Sequence, residues 1–492
     1  MKINSMALGL SIIMTVLNST ANGATLASAD SLSNQQLTQE LYNLQAQIKQ
    51  LSRQNGRLAK RSTSEMPARS DKGAVSDDEG RWITDLEHNY HGSAVVSSPT
   101  FGTDSVINGG MINDIPSING DLAILKYRQS ISRHLTKQGW RQHYPTIALG
   151  GCITVEGGLV RNFDRSSNSN VALGTAELDA LVELNSWMSG FFSISYEADK
   201  SELEPRISKS RLKLDKGYLV IGNLDRTPFY IGAGQMFAPF GSFSSFRLTT
   251  APTKVIGRNK DQVITLGLNQ KYLTAQIFLA DNELRYAHGG KVFDHIGASL
   301  NLFREWQDWR VKFGVSYTGA LAEADGILLN AFKTTKTDSN GATSSGSNTL
   351  HQKVRGFAVS GRISYKNLTL LAEYVTALNH FDEQDLSFNG HGALPRALEL
   401  EASLSFKTFG KASSLSAGWG QSWESLALKL PRSSIFAAYK IAVLKNTTLG
   451  MEYHHDFNYS ESSYAKGSGT LKTITPAGKH RDVYLLKLEA CF

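Results

Sequence analysis

Apolar and polar residues alternate in short segments from residue 146 to residue 492. In one of these segments, Leu178, Ala180 and Val182 alternate with Asp179 and Glu183. Residues two apart share one face of a strand, so each segment predicts a strand with one apolar and one polar face. About sixteen such segments follow one another, which indicates an all-β chain over this range.

The connections between the segments alternate in length as well. Short connections lie at 187–190, 225–228, 269–270, 366–367, 407–411 and 444–446. Long connections lie at 157–174, 237–261, 319–353 and 458–480. Short turns at one end and long loops at the other are typical of an outer-membrane barrel. We therefore predict a transmembrane antiparallel up-and-down β-barrel of about 16 strands over residues 146–492.

A soluble β-sandwich with one solvated face is the alternative fold, because it shares the alternation. The polar faces of the segments carry Glu177, Asp179, Glu183, Glu197, Glu373, Glu399, Glu401, Glu452 and Glu489. Arg310, Lys312, Arg362, Lys407 and Lys487 balance these acids only in part. In a barrel all these side chains face one aqueous lumen. A sandwich does not account for so many acidic residues on the polar faces of its strands. The barrel is therefore favoured.

The last residues, RDVYLLKLEACF, keep the alternation up to an aromatic residue. Tyr484, Leu486, Leu488 and Phe492 share the apolar face, where a barrel carries its aromatic girdle. We interpret these four residues as the C-terminal signal by which the barrel assembly machinery recognises the chain. We therefore expect the apolar face to contact the lipid of the outer membrane.

The composition argues against several other classes of protein. The formal net charge is +7, but the basic residues are scattered along the chain, so no nucleic-acid partner is expected. No window of about 18 uninterrupted apolar residues occurs, which disfavours a helical membrane protein. No nucleophile elbow, zincin helix or P-loop occurs in a supporting context, so we expect neither an enzyme nor a cofactor.

The N-terminal part carries the pattern of an export signal followed by a coil. Residues 1–23 have a basic start, a short apolar core and small residues before Ala24. In residues 31–60, a heptad pattern places leucines at position d and Asn55 at position a. We expect a periplasmic coiled coil that forms a homotrimer. The alternative is a single amphipathic helix docked elsewhere.

Two further segments precede the barrel. Residues 61–92 are rich in charge, Ser, Pro and Gly, which predicts a flexible linker. Residues 93–145 are too apolar for a linker and too few for a domain. We expect this second segment to lie in the barrel opening as a small plug or lumen segment.

The third long loop is the candidate constriction of the lumen. The residues that we expect to line the constriction and contact a ligand are Phe237, Phe240, Phe243, Phe246, Arg247, Lys254, Arg258 and Lys260. Aromatic and basic groups in one loop would attract an anionic, partly apolar solute. The alternative is a loop packed against the inner wall. A basic loop opposite an acidic wall would give a transverse field, whereas the wall alone would favour cations, so the charge of the solute stays open.

Two smaller sets of residues also face the predicted lumen. Cys152 and Cys491 lie on the first and last strands, which are neighbours in a closed barrel, so a disulfide is possible there if the register brings their Cα atoms within about 7 Å. The alternative is two small buried thiols. Glu452, His454 and Asp456 share one strand face, but residues two apart are separated by about 6.8 Å, which is too far for one ion. We therefore predict no metal site.

The mature chain resembles the LbtU-type siderophore porins. The resemblance rests on LTQELYNLQAQIKQL at 37–51, INDIPSINGDLAILKYRQS at 112–130 and GGCITVEGGL at 150–159. It implies a short N-terminal coil, a barrel of roughly sixteen strands, and TonB-independent uptake of a small iron chelate, a ferric siderophore. There are two rival hypotheses. One is a general diffusion porin for small polar solutes, and the other is a structural protein tethered by its coil.

Overall fold

The structure is a computed structural model that describes residues 94–96, 119–137, 144–197, 211–287, 295–333, 335–337, 343–444 and 446–491. All of them belong to the second of two units, Val75–Phe492. The predicted export signal, coiled coil and linker lie outside the described residues. Phe492, the last residue of the predicted C-terminal signal, also lies outside them.

Sixteen long strands, β1 to β16 in chain order, make up the main sheet together with the three-residue strand Ala94–Val96. The long strands are Thr146–Arg161, Ser167–Glu183, Met188–Glu197, Arg211–Gly222, Phe229–Phe237, Lys260–Gln270, Leu273–Ala280, His295–Trp306, Trp309–Thr318, Gly356–Tyr365, Leu368–Ala377, Arg396–Thr408, Lys411–Trp423, Ser433–Leu444, Thr447–Phe457 and His480–Cys491. Each is antiparallel to its neighbours in sequence.

The sheet closes because β1 also pairs with β16, from Cys152 opposite Cys491 to Arg161 opposite Asp482. Closure leaves no free edge along these strands. Ala94–Val96 runs parallel to β1 beside Ile147–Leu149, at the end where β16 stops. The predicted antiparallel barrel of sixteen strands is confirmed.

The outward face of the barrel is apolar, as the alternation predicts. Leu178, Phe313 and Leu404 are each nearly half exposed, although they are large and apolar. Such an apolar outer face is favourable against lipid and costly against water, so the barrel is transmembrane. Aromatic rings gather toward one rim of this face, where Trp309 packs on Trp306 and Tyr365.

No helix among the described residues is long and apolar enough to cross a bilayer.

Connections at the two ends of the barrel differ in length. The end with short turns, called the turn end, includes the two-residue connections 307–308, 366–367 and 409–410. The loop end carries loops L1 to L8, of which L3 is 238–259, L5 is 319–355, L6 is 378–395 and L8 is 458–479.

The expectation of a long loop at 157–174 is wrong. β1 and β2 run through most of this range, and only 162–166 connects them. The Asn162 N–H donates to the Ser166 carbonyl at 2.8 Å, which closes a tight turn. The strand ends next to this turn carry exposed polar residues, Arg161, Ser167 and Ser169, so the sequence here is typical of a loop although the backbone stays paired.

Helix α1, Gly120–Lys137, lies inside the barrel. Its eighteen residues span about 27 Å at 1.5 Å per residue. Leu122, Ile124, Leu125 and Ile131 are buried along it, in the same apolar cluster as inward residues of the wall such as Tyr218. Spacings of three and four residues put such side chains on one helix face, which packs against the wall.

Inward aromatic rings pack over glycines on the next strand. Tyr230 is paired with Gly267, and Phe278 with Gly297. A Cβ added at Gly267 would lie 2.0 Å from the Tyr230 ring, and one at Gly297 would lie 2.1 Å from the Phe278 ring. Glycine at these positions lets large rings fill the lumen without displacing the strands.

Candidate functional site

Loop L3 crosses the lumen and reaches the wall formed by later strands. The Gly241 N–H donates to Ser316 Oγ on β9 at 2.7 Å. Farther along the loop, the Leu248 carbonyl accepts from Lys487 Nζ on β16 at 2.9 Å. L3 thus contacts inward side chains that are distributed over much of the barrel circumference.

Four buried glutamates, called the acidic ladder, receive L3. They are Glu373 on β11, Glu399 and Glu401 on β12, and Glu452 on β15. Glu373 accepts from the N–H groups of Ser242 and Phe243 at 2.6 and 2.9 Å. Backbone N–H donors satisfy a buried carboxylate well, because hydrogen bonds to ionised groups are roughly twice as strong as neutral ones.

The rest of the acidic ladder continues the same pattern. Glu401 accepts from Ser245 Oγ at 2.7 Å and from the Phe246 N–H at 2.5 Å. Glu452 accepts from the Leu248 N–H and, at 2.6 Å, from Thr249 Oγ1. Four of the nine carboxylates that the sequence assigned to an open acidic wall are therefore occupied by the loop.

Arg247 fills a socket in the wall. Its Nε donates to Glu399 Oε1 at 2.6 Å, and its Nη2 donates to Ser434 Oγ at 2.6 Å. The guanidinium also lies 4.3 Å from the centre of the Phe436 ring. A Cβ at Gly420 would come within 2.5 Å of Glu399 Oε2, so glycine makes room for the ion pair.

Three of the four predicted phenylalanines of L3 are packed away from solvent. Phe237, Phe240 and Phe243 are buried, at 6%, 2% and 1% exposure. Only Phe246 is half-buried, and its ring lies 5.8 Å from the Arg362 guanidinium on β10. Of the four, Phe246 is therefore the ring that could meet a solute in this conformation.

Two of the three other basic residues predicted for the third long loop lie beside acids of the barrel and of L5. Arg258 Nε lies 3.3 Å from Asp325 Oδ2, and Lys260 Nζ donates to Asp215 Oδ1 at 2.5 Å. Lys254 is half-buried in the short helix α2, Pro252–Gly257. The charges that were expected to face each other across the lumen are thus largely paired at close range.

A basic arc of Arg310, Lys312, Arg362 and Lys407 lies on the inner wall, toward the turn end from L3. Lys312 shares a strand face with Ser316, the partner of L3, and is paired directly with Arg362. Consecutive inward residues are about 6.8 Å apart along a strand. Lys312 therefore lies two such steps from Ser316, the residue that contacts Gly241 of L3, in the direction of the turn end.

Helix α1 is anchored near its start and in its middle. Near its start, Thr265 Oγ1 donates to Asp121 Oδ2 at 2.7 Å. In its middle, Arg128 Nη1 donates to Ser189 Oγ at 2.7 Å, and Nη2 donates to the Gly222 carbonyl at 2.5 Å. The helix is therefore tied to β3, β4 and β6 on one side of the lumen.

Loops at the loop end form a roof over L3. The strand Leu386–Phe388 in L6 pairs with Ala465–Gly467 in L8. Ser468 in L8 donates from its N–H to the Ala331 carbonyl in L5 at 2.9 Å. L5, L6 and L8 are therefore joined to one another at the loop end.

The seam between β1 and β16 contains a disulfide. Cys152 and Cys491 have an S–S distance of 1.97 Å and a Cα–Cα distance of 4.1 Å. Beside them, Lys487 Nζ lies 3.6 Å from Glu156 Oε2. Since Lys487 also donates to L3, the seam and the lumen loop share one polar network.

The stripe of Glu452, His454 and Asp456 forms no ligand set of its own. His454 Nδ1 lies 3.2 Å from Glu452 Oε1, and its Nε2 lies 3.5 Å from Asp456 Oδ2. Both ring nitrogens thus face carboxylates of its own strand, while Glu452 also holds L3. Sequence reasoning did not foresee that role of Glu452, and the hydroxyl-rich stretch SFSSFRLTT was the available signal.

Comparisons with known proteins identify relatives along most of the chain. No family model matches it. A UPF0422 protein of Coxiella burnetii is 28% identical, over 98% of this chain and 99% of that protein. A UPF0422 protein of Legionella pneumophila strain Lens is 30% identical over 77% of this chain and 72% of that protein. The chain belongs to the UPF0422 family.

Solved structures with a similar fold are outer-membrane proteins. OmpT of Vibrio cholerae has a TM-score of 0.45 and 9% identity, over 72% of this chain and 99% of that chain. The anion-selective porin of Comamonas acidovorans has a TM-score of 0.45 and 12% identity, over 70% and 99%. The channel DcaP of Acinetobacter baumannii has a TM-score of 0.44 and 11% identity, over 70% and 97%.

Proposed function

We propose that this protein is a porin-like channel of the outer membrane that takes up an anionic iron chelate, a ferric siderophore, without TonB. The observation that carries the proposal is the division of charge inside the lumen. L3 occupies the acidic ladder, whereas Arg310, Arg362 and Lys407 of the basic arc remain exposed on the inner wall.

Two features of the arc suit a chelate that is negatively charged and partly apolar. Lys312 and Arg362 lie directly opposite each other, so an anion between them would contact two positive charges. Phe246 lies against Arg362, so an apolar ring borders the same place. TonB-type transporters have about 22 strands. The sixteen long strands of this barrel fit the size of a porin instead.

The proposal includes a gate. α1 fills one side of the lumen, and the roof of L5, L6 and L8 covers the loop end. We propose that residues 93–145 act as the plug and that the roof opens for the solute. The turn end then faces the periplasm, with the N-terminal coil there holding a homotrimer together, and the barrel assembly machinery inserts the chain.

The test measures ion selectivity and block in planar bilayers. We expect the protein to prefer anions and its current to be blocked by a micromolar ferric siderophore. Lys312→Glu with Arg362→Glu should shift the reversal potential toward cations and weaken the block at least tenfold. Lys479→Glu reverses one exposed charge of L8, is the control for charge reversal outside the arc, and should change neither.

Other outcomes would identify the rival functions. An anion preference without block by any ferric chelate would favour a general diffusion porin for small polar solutes. An absence of current, combined with loss of envelope integrity when residues 31–60 are deleted, would favour a tethered structural protein. A reversal potential that the double substitution leaves unchanged would contradict the role of the basic arc.

A further inference from the structure

We propose that His380, His391 and Glu424 bind one divalent transition-metal ion at the loop end of the barrel. This site is separate from the lumen and does not depend on the proposed transport function. Each of the three side chains offers one ligand atom, and these atoms lie within 4.8 Å of one another. Among the described residues, no other group of three or more His, Cys, Asp or Glu residues meets this distance.

The fold of L6 brings the two histidines together. A tight turn at Asn389 and Gly390, with φ of 50° and 81°, joins the short strands Leu386–Phe388 and His391–Gly392. The Phe381 N–H donates to the Ala393 carbonyl at 2.8 Å, which holds the start of L6 beside this hairpin.

Gly392 allows the two segments to approach closely. A Cβ at this position would lie 1.9 Å from the Phe381 carbonyl oxygen, so a larger residue would push the segments apart. The backbone separation of His380 and His391 is therefore set by this close approach of the residues that follow them.

One backbone carbonyl orients both imidazoles. His380 Nδ1 lies 2.7 Å from the Gly392 oxygen, and His391 Nδ1 lies 3.1 Å from the same oxygen. A carbonyl oxygen has two lone pairs and can accept from both rings. When each Nδ1–H donates in this way, each Nε2 keeps a lone pair for a metal, and metal-binding histidines commonly have such a second partner.

Glu424 supplies the third ligand from the neighbouring loop. It directly follows β13, and its φ of 52° is in the left-handed region. Its Oε2 accepts from the Leu394 N–H at 2.7 Å, which fixes the carboxylate and leaves Oε1 for an ion. The hydrogen bond also ties the carboxylate to the segment that follows His391.

The ligand set indicates the class of ion. Two imidazoles and one carboxylate suit Zn²⁺, Cu²⁺, Ni²⁺, Co²⁺ or Fe²⁺, whereas Ca²⁺ and Mg²⁺ prefer oxygen ligands. Ligand atoms on a tetrahedral zinc ion are about 3.3 Å apart, so ligand atoms that lie within 4.8 Å of one another need to approach by at most about 1.5 Å. Three protein ligands leave a fourth position open to water or to a group on another molecule.

The test uses untagged full-length protein in detergent, because a polyhistidine tag would bind the same ions. Zn²⁺ binding is measured by calorimetry, and Co²⁺ binding by its visible absorption. We expect one Zn²⁺ per chain and a Co²⁺ spectrum of nitrogen and oxygen ligands. Mg²⁺ at a large excess should not compete.

Three variants separate a metal site from a general effect on the loops. His380→Ala with His391→Ala should weaken Zn²⁺ binding at least a hundredfold. Glu424→Gln keeps an oxygen that can accept from Leu394 but lacks the charge, and should weaken binding at least tenfold. His480→Ala removes a histidine elsewhere and should leave the affinity unchanged.

The same heat-modifiable mobility of all variants on gels would show that the barrel is intact in each. Equal Zn²⁺ affinity in the wild type and the double histidine variant would overturn the proposal. So would a loss of affinity in His480→Ala as large as that in the double variant.

Discussion

Arg247 Nε lies 2.6 Å from Glu399 Oε1, and the two side chains are only 3% and 1% exposed. This ion pair joins L3 to the barrel wall at a buried position. Removing one partner of a buried pair leaves an uncompensated charge, which typically costs about 3–5 kcal/mol. The pair therefore makes the position of L3 sensitive to a single substitution.

Arg247→Ala is expected to detach part of L3 from the wall. The thermal unfolding temperature should fall, and the single-channel conductance should rise because the loop no longer holds its path across the lumen. Arg247→Ala combined with Glu399→Ala should recover part of the lost stability, since no buried charge then remains unpaired. A single variant with unchanged stability and conductance would contradict the importance of this pair.

The alternation allowed the faces of the strands to be predicted from sequence. Leu178 lies outward and Asp179 inward, because side chains of successive strand residues must point to opposite sides of the sheet. The same rule fails for strand ends, where the outer face need not be apolar. This is why 157–174 was expected to be a long loop.

Contacts across the lumen could not be predicted in the same way. Glu373 is far in sequence from Ser242, and only closure of the barrel brings the wall to L3. Alternation identified the inward direction of the acids but not their partners. His380 and Glu424 were missed for the same reason, since they meet only through the packing of L6 against the residue that follows β13.

Arg128→Ala is expected to loosen α1 within the lumen. The variant loses the donors to Ser189 and to the carbonyls of Ser186 and Gly222, of which Ser186 lies in the turn between β2 and β3. If α1 acts as a plug, the open probability in planar bilayers should rise severalfold. Arg133→Ala, which removes a more exposed pair with Asp225, is the control and should have a smaller effect. Equal open probability in the wild type and Arg128→Ala would contradict the plug.

Loss of the disulfide is expected to affect stability more than conductance. Cys152 and Cys491 are 339 residues apart in sequence, and bridging distant residues restricts the unfolded chain. Cys152→Ser with Cys491→Ser should lower the free energy of unfolding by about 2–4 kcal/mol. The ten paired positions between β1 and β16 still close the barrel, so the conductance should stay the same. Mass spectrometry after thiol alkylation checks the bond, and two free thiols in protein isolated without reductant would refute it.

The contact between L5 and L6 is expected to depend on pH through His351. Its Nδ1 lies 2.7 Å from Asp385 Oδ1, and this hydrogen bond raises the pKa of His351 above its ordinary value of 6.5. A raised pKa in the folded state means that the contact stabilises the roof fully below about pH 6.5 and loses this effect as the pH rises through the raised value.

Cleavage of L5 by an added protease should therefore be slow in acid and faster above neutral pH. His351→Gln should remove most of this dependence on pH. The variant keeps the backbone N–H bond to Asp385 Oδ2, at 2.8 Å in the wild type, so L5 should still fold. The protease itself must be calibrated at each pH with an unfolded substrate. A wild-type cleavage rate, corrected in this way, that does not change with pH would exclude His351 as the titrating group.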